Sequence, residues 1–152
     1  MAYLSVFADD SSSMGMDQRM DALKETIKEV AKIAIALKET SQHGGGISIR
    51  FLNYENDSHM NNICTVADVE QALFGVYPCG ITELGTQLKR KVLEPFLVNV
   101  LGGAKGRLER PLLVTIITDG EPCGESRDTL KNTILWCKKY METMGYGPWG
   151  EF

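Results

Sequence analysis

"LLVTIITDGEP", residues 112–122, is the stretch from which the fold can be read. Residues 112–118 are apolar or β-branched with no polar face, the pattern of a parallel strand covered on both sides. The run stops at Thr118, Asp119 and Gly120, which turn the chain. A second segment stops in the same way. "VFADDSSSMG", residues 6–15, closes a short strand over 3–8 and passes into two aspartates and three serines. In an open parallel sheet, ligands bind beyond the carboxyl ends of the strands. If the two strands are neighbours, Asp9 and Asp119 converge there.

Outward from these strands, apolar periodicity supplies the helices. Met20, Leu23, Ile27, Val30, Ala34 and Leu37 predict an inward face on a helix over about 18–38. "ISIRFLNY", 47–54, predicts a second strand, and "NICTV", 62–66, a brief third. Thr65 with Asp68 three residues on resembles a capping box and starts a helix over 66–74. Residues 83–101 are helical by pattern, with Pro95 requiring a kink or a break. The last helix, 127–144, should turn Leu130, Ile134, Cys137, Met141 and Met144 inward, with Gly145 as its C-cap. Long helices between apolar strands predict an α/β domain of Rossmann-like type, an open and mainly parallel sheet flanked by helices.

Composition limits the function. The 152 residues suit a single domain, and 43% apolar with 24% charged residues is ordinary for a globular chain. A net charge of −4 without a basic stripe argues against nucleic acid and anionic membranes as partners. The start, "MAYLSVFADD", has no basic n-region, and no window approaches the roughly 20 apolar residues of a membrane span. The expected location is therefore cytoplasmic. Cys64, Cys79, Cys123 and Cys137 form no C-x-x-C pair, and His43 and His59 are not spaced to complete a zinc site. Free thiols in a reducing compartment are expected; a Cys79–Cys123 disulfide is the alternative. Both histidines are expected in exposed loops.

Asp9, Ser11, Ser13 and Asp119, joined by Thr82 from "CGITELG", give two carboxylates and three hydroxyls. All are hard oxygen donors, suited to Mg²⁺, Mn²⁺ or Ca²⁺ and poorly suited to zinc or copper. In an extended D-x-S-x-S run every second side chain points the same way, so Asp10 and Ser12 should point elsewhere. Taken alone, the serine-rich loop reads equally as a helix cap.

Together, "FADDSSSM", "CGITELGTQL" and "LLVTIITDGEP" resemble, in order, the three loops of the metal-ion-dependent adhesion site of a von Willebrand factor type A domain. The resemblance implies a divalent ion, Mg²⁺ or else Mn²⁺ or Ca²⁺, held by Asp9, Ser11, Ser13, Thr82 and Asp119, with the aspartates acting partly through water. It also implies that an Asp or Glu of a protein partner fills the open coordination position. Glu121 and Asp10 are candidate partner contacts, though Glu121 reads equally as a solvated loop acid. "TDGEP" is most similar to the intracellular A domains of microbes and fungi.

The resemblance covers residues 3 to about 146. A complete A domain is about a third longer, with two more strands. Four strands in the order 3-2-1-4 are therefore expected, in a fold incomplete after about residue 146. The strand at 112–118 would then be an exposed apolar edge, inviting self-association, strand exchange or a second fragment. A minimal A domain that closes early is the alternative. The expected function is metal-dependent protein binding without catalysis. A Mg²⁺-dependent phosphatase or phosphotransferase of haloacid-dehalogenase type is an alternative, but it wants D-x-D where this chain has Ser11. A structural module with a vestigial site is the third reading.

Overall fold

The computed structural model describes residues 3–39, 46–55, 60–104 and 106–147. His43, His59 and the residues after 147 lie outside that set. Three parallel strands form an open sheet: β1 (Tyr3–Ala8), β2 (Ser48–Phe51) and β3 (Leu112–Ile117), in the order β2-β1-β3. The chain is thus α/β, with β1 central. In β1, Val6 and Ala8 point to one face and Phe7 to the other, and all three are fully buried. Helix α1 (Arg19–Glu39) and helix α2 (Val66–Leu73) cover the first face. The helical run from Leu84 and the helix α5 (Thr129–Thr143) cover the second. These layers leave the carboxyl ends of β1 and β3 side by side.

Four strands are expected; three are found among the described residues. The 62–66 segment contributes a single antiparallel bridge, Ile47 to Ile63. Asn62 takes φ +52° and Thr65 already caps α2, so little chain between them is left to extend. The capping box forms as the sequence predicts: the Asp68 N–H donates to the Thr65 hydroxyl, and the Thr65 N–H to the Asp68 carboxylate. Strand β2 ends at Phe51 rather than at 54 because the chain turns to bring Asn53 and Tyr54 onto Asp10.

Pro95 has a definite consequence. Leu84–Leu88 is α-helical (α3), Lys89–Val98 is π-helical, and Asn99–Leu101 (α4) returns to α. Proline brings no N–H and crowds the preceding turn, and the wider π coil carries the helix past it without a sharp break.

Two expected inward faces are corrected. Leu37 is 59% exposed, with Ile33 beside it on the same stretch. A 21-residue helix is about 30 Å long and a six-residue strand about 20 Å, so α1 outruns the sheet. At the last helix, Leu130 and Cys137 pack inward as expected, whereas Ile134 and Met144 are exposed and Thr133 is buried against the Gly85 carbonyl of the helix that starts at Leu84. Strand β3, expected as an exposed edge, has a neighbour on one side only among the described residues, and Leu113 is 55% exposed. All four cysteines are free, so the Cys79–Cys123 alternative does not form. No helix among the described residues is long and apolar enough to cross a membrane.

Candidate metal centre

The parallel pairing of β1 with β3 sets Ala8 opposite Ile117. One step on, the Asp9 N–H still donates to the Ile117 carbonyl at 2.9 Å, so the two loops leave the sheet together. A third loop, 79–82, is laced to both. The Ser12 N–H and hydroxyl both donate to the Gly80 carbonyl, at 3.2 and 2.9 Å, and the Cys79 N–H donates to the Asp10 carbonyl at 2.7 Å. Thr82 and Cys123 exchange backbone hydrogen bonds in both directions. Gly80 has φ +74°, and a Cβ there would lie 2.3 Å from the Asn53 side chain, so only glycine serves this crossing.

The lacing builds a cleft of about 510 Å³ onto which Ser11, Ser13, Thr82, Asp119, Glu121 and Arg19 open. The Ser11 and Ser13 hydroxyls are 3.1 Å apart, and Ser13 donates to Asp119 Oδ1 at 3.2 Å. The serines converge through a 3₁₀ turn, Ser12–Gly15, and not through the extended alternation expected of D-x-S-x-S. Asp9 sits just behind them, fully buried, accepting from the Ser11 N–H at 2.9 Å and from the Thr118 hydroxyl at 2.7 Å. Four of the five expected residues therefore line one cleft, and Asp9 backs it.

Two features fit a cation. Asp9 is a wholly buried carboxylate with no ion pair among the described residues, an expensive arrangement without nearby positive charge. Thr82 is 6% exposed, and its hydroxyl has no hydrogen-bond partner among the described residues. A buried orphan hydroxyl calls for an explanation such as an ion or water. Among the described residues no three His, Cys, Asp or Glu side chains converge as a metal group. The oxygens here are two carboxylates plus hydroxyls, a set for a hard cation.

Asp10, expected among the partner contacts, is instead wholly buried. It accepts from the Asn53 N–H at 2.7 Å, the Tyr54 N–H at 2.9 Å and the Asn53 side chain at 3.3 Å. Burial pushes its carboxyl above the usual range, with those bonds pulling the other way. It ties β1 to the end of β2 and offers nothing to a partner. Glu121 is at the cleft's rim, paired with Arg127 at 2.7 Å.

Two residues at the site were not anticipated from the sequence. Thr118 is the hydroxyl on Asp9, and its place just before Asp119 at a strand end is the signal that was available. Arg19 places a guanidinium nitrogen 2.6 Å from Asp119 Oδ2, across 100 positions of chain, and no local pattern announces such a pair. No protein-family model matches the chain, and no curated protein matches it.

Proposed function

We propose that this domain is a metal-dependent protein-binding module of von Willebrand A type and not an enzyme. One observation carries the reading: a buried Thr82 hydroxyl, without a hydrogen-bond partner among the described residues, opens onto the same cleft as Ser11, Ser13 and Asp119, in front of the buried Asp9. In this reading the three hydroxyls and the two aspartates hold Mg²⁺ or a similar divalent ion. The bound ion supplies an electrophilic position for a carboxylate. Because most of its ligands are neutral, it keeps charge to attract an Asp or Glu of a partner. Ser11 stands where phosphotransfer of the haloacid-dehalogenase kind needs a second acid, which weighs against that chemistry.

The test is thermal. An ion that binds only the folded chain raises the melting temperature as its concentration rises. Mg²⁺ or Mn²⁺ should do so for the wild type, and Asp119→Ala should abolish the response while leaving the fold intact. Equal responses in the two proteins would remove the ion from this site. A second reading, a structural module with a vestigial site, is favoured by the Arg19–Asp119 ion pair, because the chain there supplies a cation of its own.

A further inference from the structure

We infer that Arg19 is the resident counter-cation of this cleft, competing with the divalent ion for Asp119 and so setting how readily the site loads. The inference rests on the metal-binding reading above. Asp119 has two oxygens, and both are engaged. Oδ1 accepts from the Ser13 hydroxyl at 3.2 Å, and Oδ2 holds the Arg19 guanidinium at 2.6 Å. The Asp119 side chain is only 14% exposed, so little of it remains for water or for an ion. Arg19 opens onto the same cleft as Ser11, Ser13 and Thr82. A divalent ion drawn to those hydroxyls meets a positive charge already bound to the carboxylate it needs. Like charges at such separations repel strongly where solvent is partly excluded.

The chain is built to hold Arg19 there. Asp17 and Gln18, which join the 3₁₀ turn to α1, take φ +51° and +58°. Left-handed backbone at two successive non-glycine residues is strained and persists only where the surroundings enforce it. It turns the first residue of α1, Arg19, back over the site. The side chain also has a second anchor. Its other terminal nitrogen lies 3.5 Å from Asp17 Oδ2, and Asp17 is 81% exposed. Arg19 can therefore release Asp119 and rest on Asp17, outside the cleft, without losing an acidic partner. Loading the site is an exchange: the ion takes Asp119, and the guanidinium moves to Asp17. An arginine pairs with a carboxylate through directed, charge-assisted bonds, so the exchange opposes metal binding appreciably.

The experiment is Mn²⁺ binding by isothermal titration calorimetry to wild type, Arg19→Met and Asp119→Ala. Methionine keeps an unbranched stem close to that of arginine and removes the charged guanidinium. The expected result is that R19M binds Mn²⁺ about tenfold or more tightly than wild type, the scale of a charge-assisted hydrogen bond, while D119A does not bind. Equal affinity in wild type and R19M overturns the role of Arg19 and leaves the metal site standing. Absence of binding in both, with both folded, overturns the metal reading and this inference with it. A readout on the wild type alone covers the case in which R19M does not fold. The guanidinium resonances of Arg19 should shift as Mn²⁺ is replaced by diamagnetic Mg²⁺ and titrated to saturation, and a saturable Mg²⁺ effect elsewhere in the cleft that leaves them unmoved overturns the exchange.

Discussion

Gly85→Ala is the sharpest structural perturbation available in this chain, because two ordinary expectations oppose one another. By helix propensity alone, alanine in place of a helical glycine stabilises by up to about 1 kcal/mol. Packing says the reverse. A Cβ at residue 85 would lie 2.5 Å from the Leu130 nitrogen, 2.6 Å from the Thr129 carbonyl carbon and 2.8 Å from Leu130 Cα. Every one of these atoms is backbone, so no rotamer change relieves the clash. Reaching ordinary contact at 3.4 Å requires α3 and α5 to part by 3.4 − 2.5, about 0.9 Å. That movement strains two bonds that dock the helices: Gly85 N–H to Glu125 at 2.7 Å and the Thr133 hydroxyl to the Gly85 carbonyl at 3.2 Å. Overpacking costs about 1–3 kcal/mol, and each strained bond adds a fraction of about 1 kcal/mol. The net expectation is a loss of about 2 kcal/mol. For a domain of this size that lowers the melting temperature by about 4–8 °C. Urea unfolding at constant m-value gives the free energy directly. An unchanged or more stable Gly85→Ala protein would refute the close approach of α3 to α5 and, with it, the placement of the Thr82 loop that α3 follows.

Further expectations concern the site, the cap and the sheet edge. Thr118→Val removes the hydroxyl that donates to Asp9 but keeps the β-branched shape; it should cost about 1.5 kcal/mol in urea unfolding, and Thr118→Ser should recover most of that. Asp68 has its carboxyl held below the usual 3.8, first by the Thr65 side chain and then by the backbone N–H groups of Cys64 and Thr65. Its stabilising contribution is thus complete above 3.8 and is lost as pH falls through the lower folded value, so Asp68→Asn should flatten the acid limb of the stability curve. The edge of β3, open among the described residues, with Leu113 on it and Ile134 and Leu135 on α5 each more than half exposed, predicts concentration-dependent association in sedimentation equilibrium, and a compact monomer at high concentration would contradict it.

Much of the scaffold was legible because its signals are local. Apolar runs bounded by turn residues located β1 and β3 within a residue, and Thr65 with Asp68 marked the start of α2. Two D-rich strand ends and one threonine loop sufficed to gather Asp9, Ser11, Ser13, Thr82 and Asp119, because neighbouring parallel strands deliver their ends to one place. What stayed hidden depends on contacts across the chain. On α5 the apolar spacing finds Leu130 and Cys137, but the burial of Thr133 and the exposure of Ile134 depend on where Gly85 lets α5 approach α3. The fate of Asp10 depends on how β2 ends, and the partner of Asp119 on two left-handed residues before α1. The width of the helix around Pro95 is likewise a property of its surroundings; the proline foretells a disturbance and not its form.

The most direct measurement is an anomalous difference map from crystals of the wild-type chain grown or soaked with Mn²⁺. The expected result is one strong peak per chain, in contact with the Ser11 and Ser13 hydroxyls and close to Thr82 and Asp119, with Arg19 withdrawn toward Asp17. A map with Arg19 still on Asp119 and no peak in the cleft at saturating Mn²⁺ would contradict it.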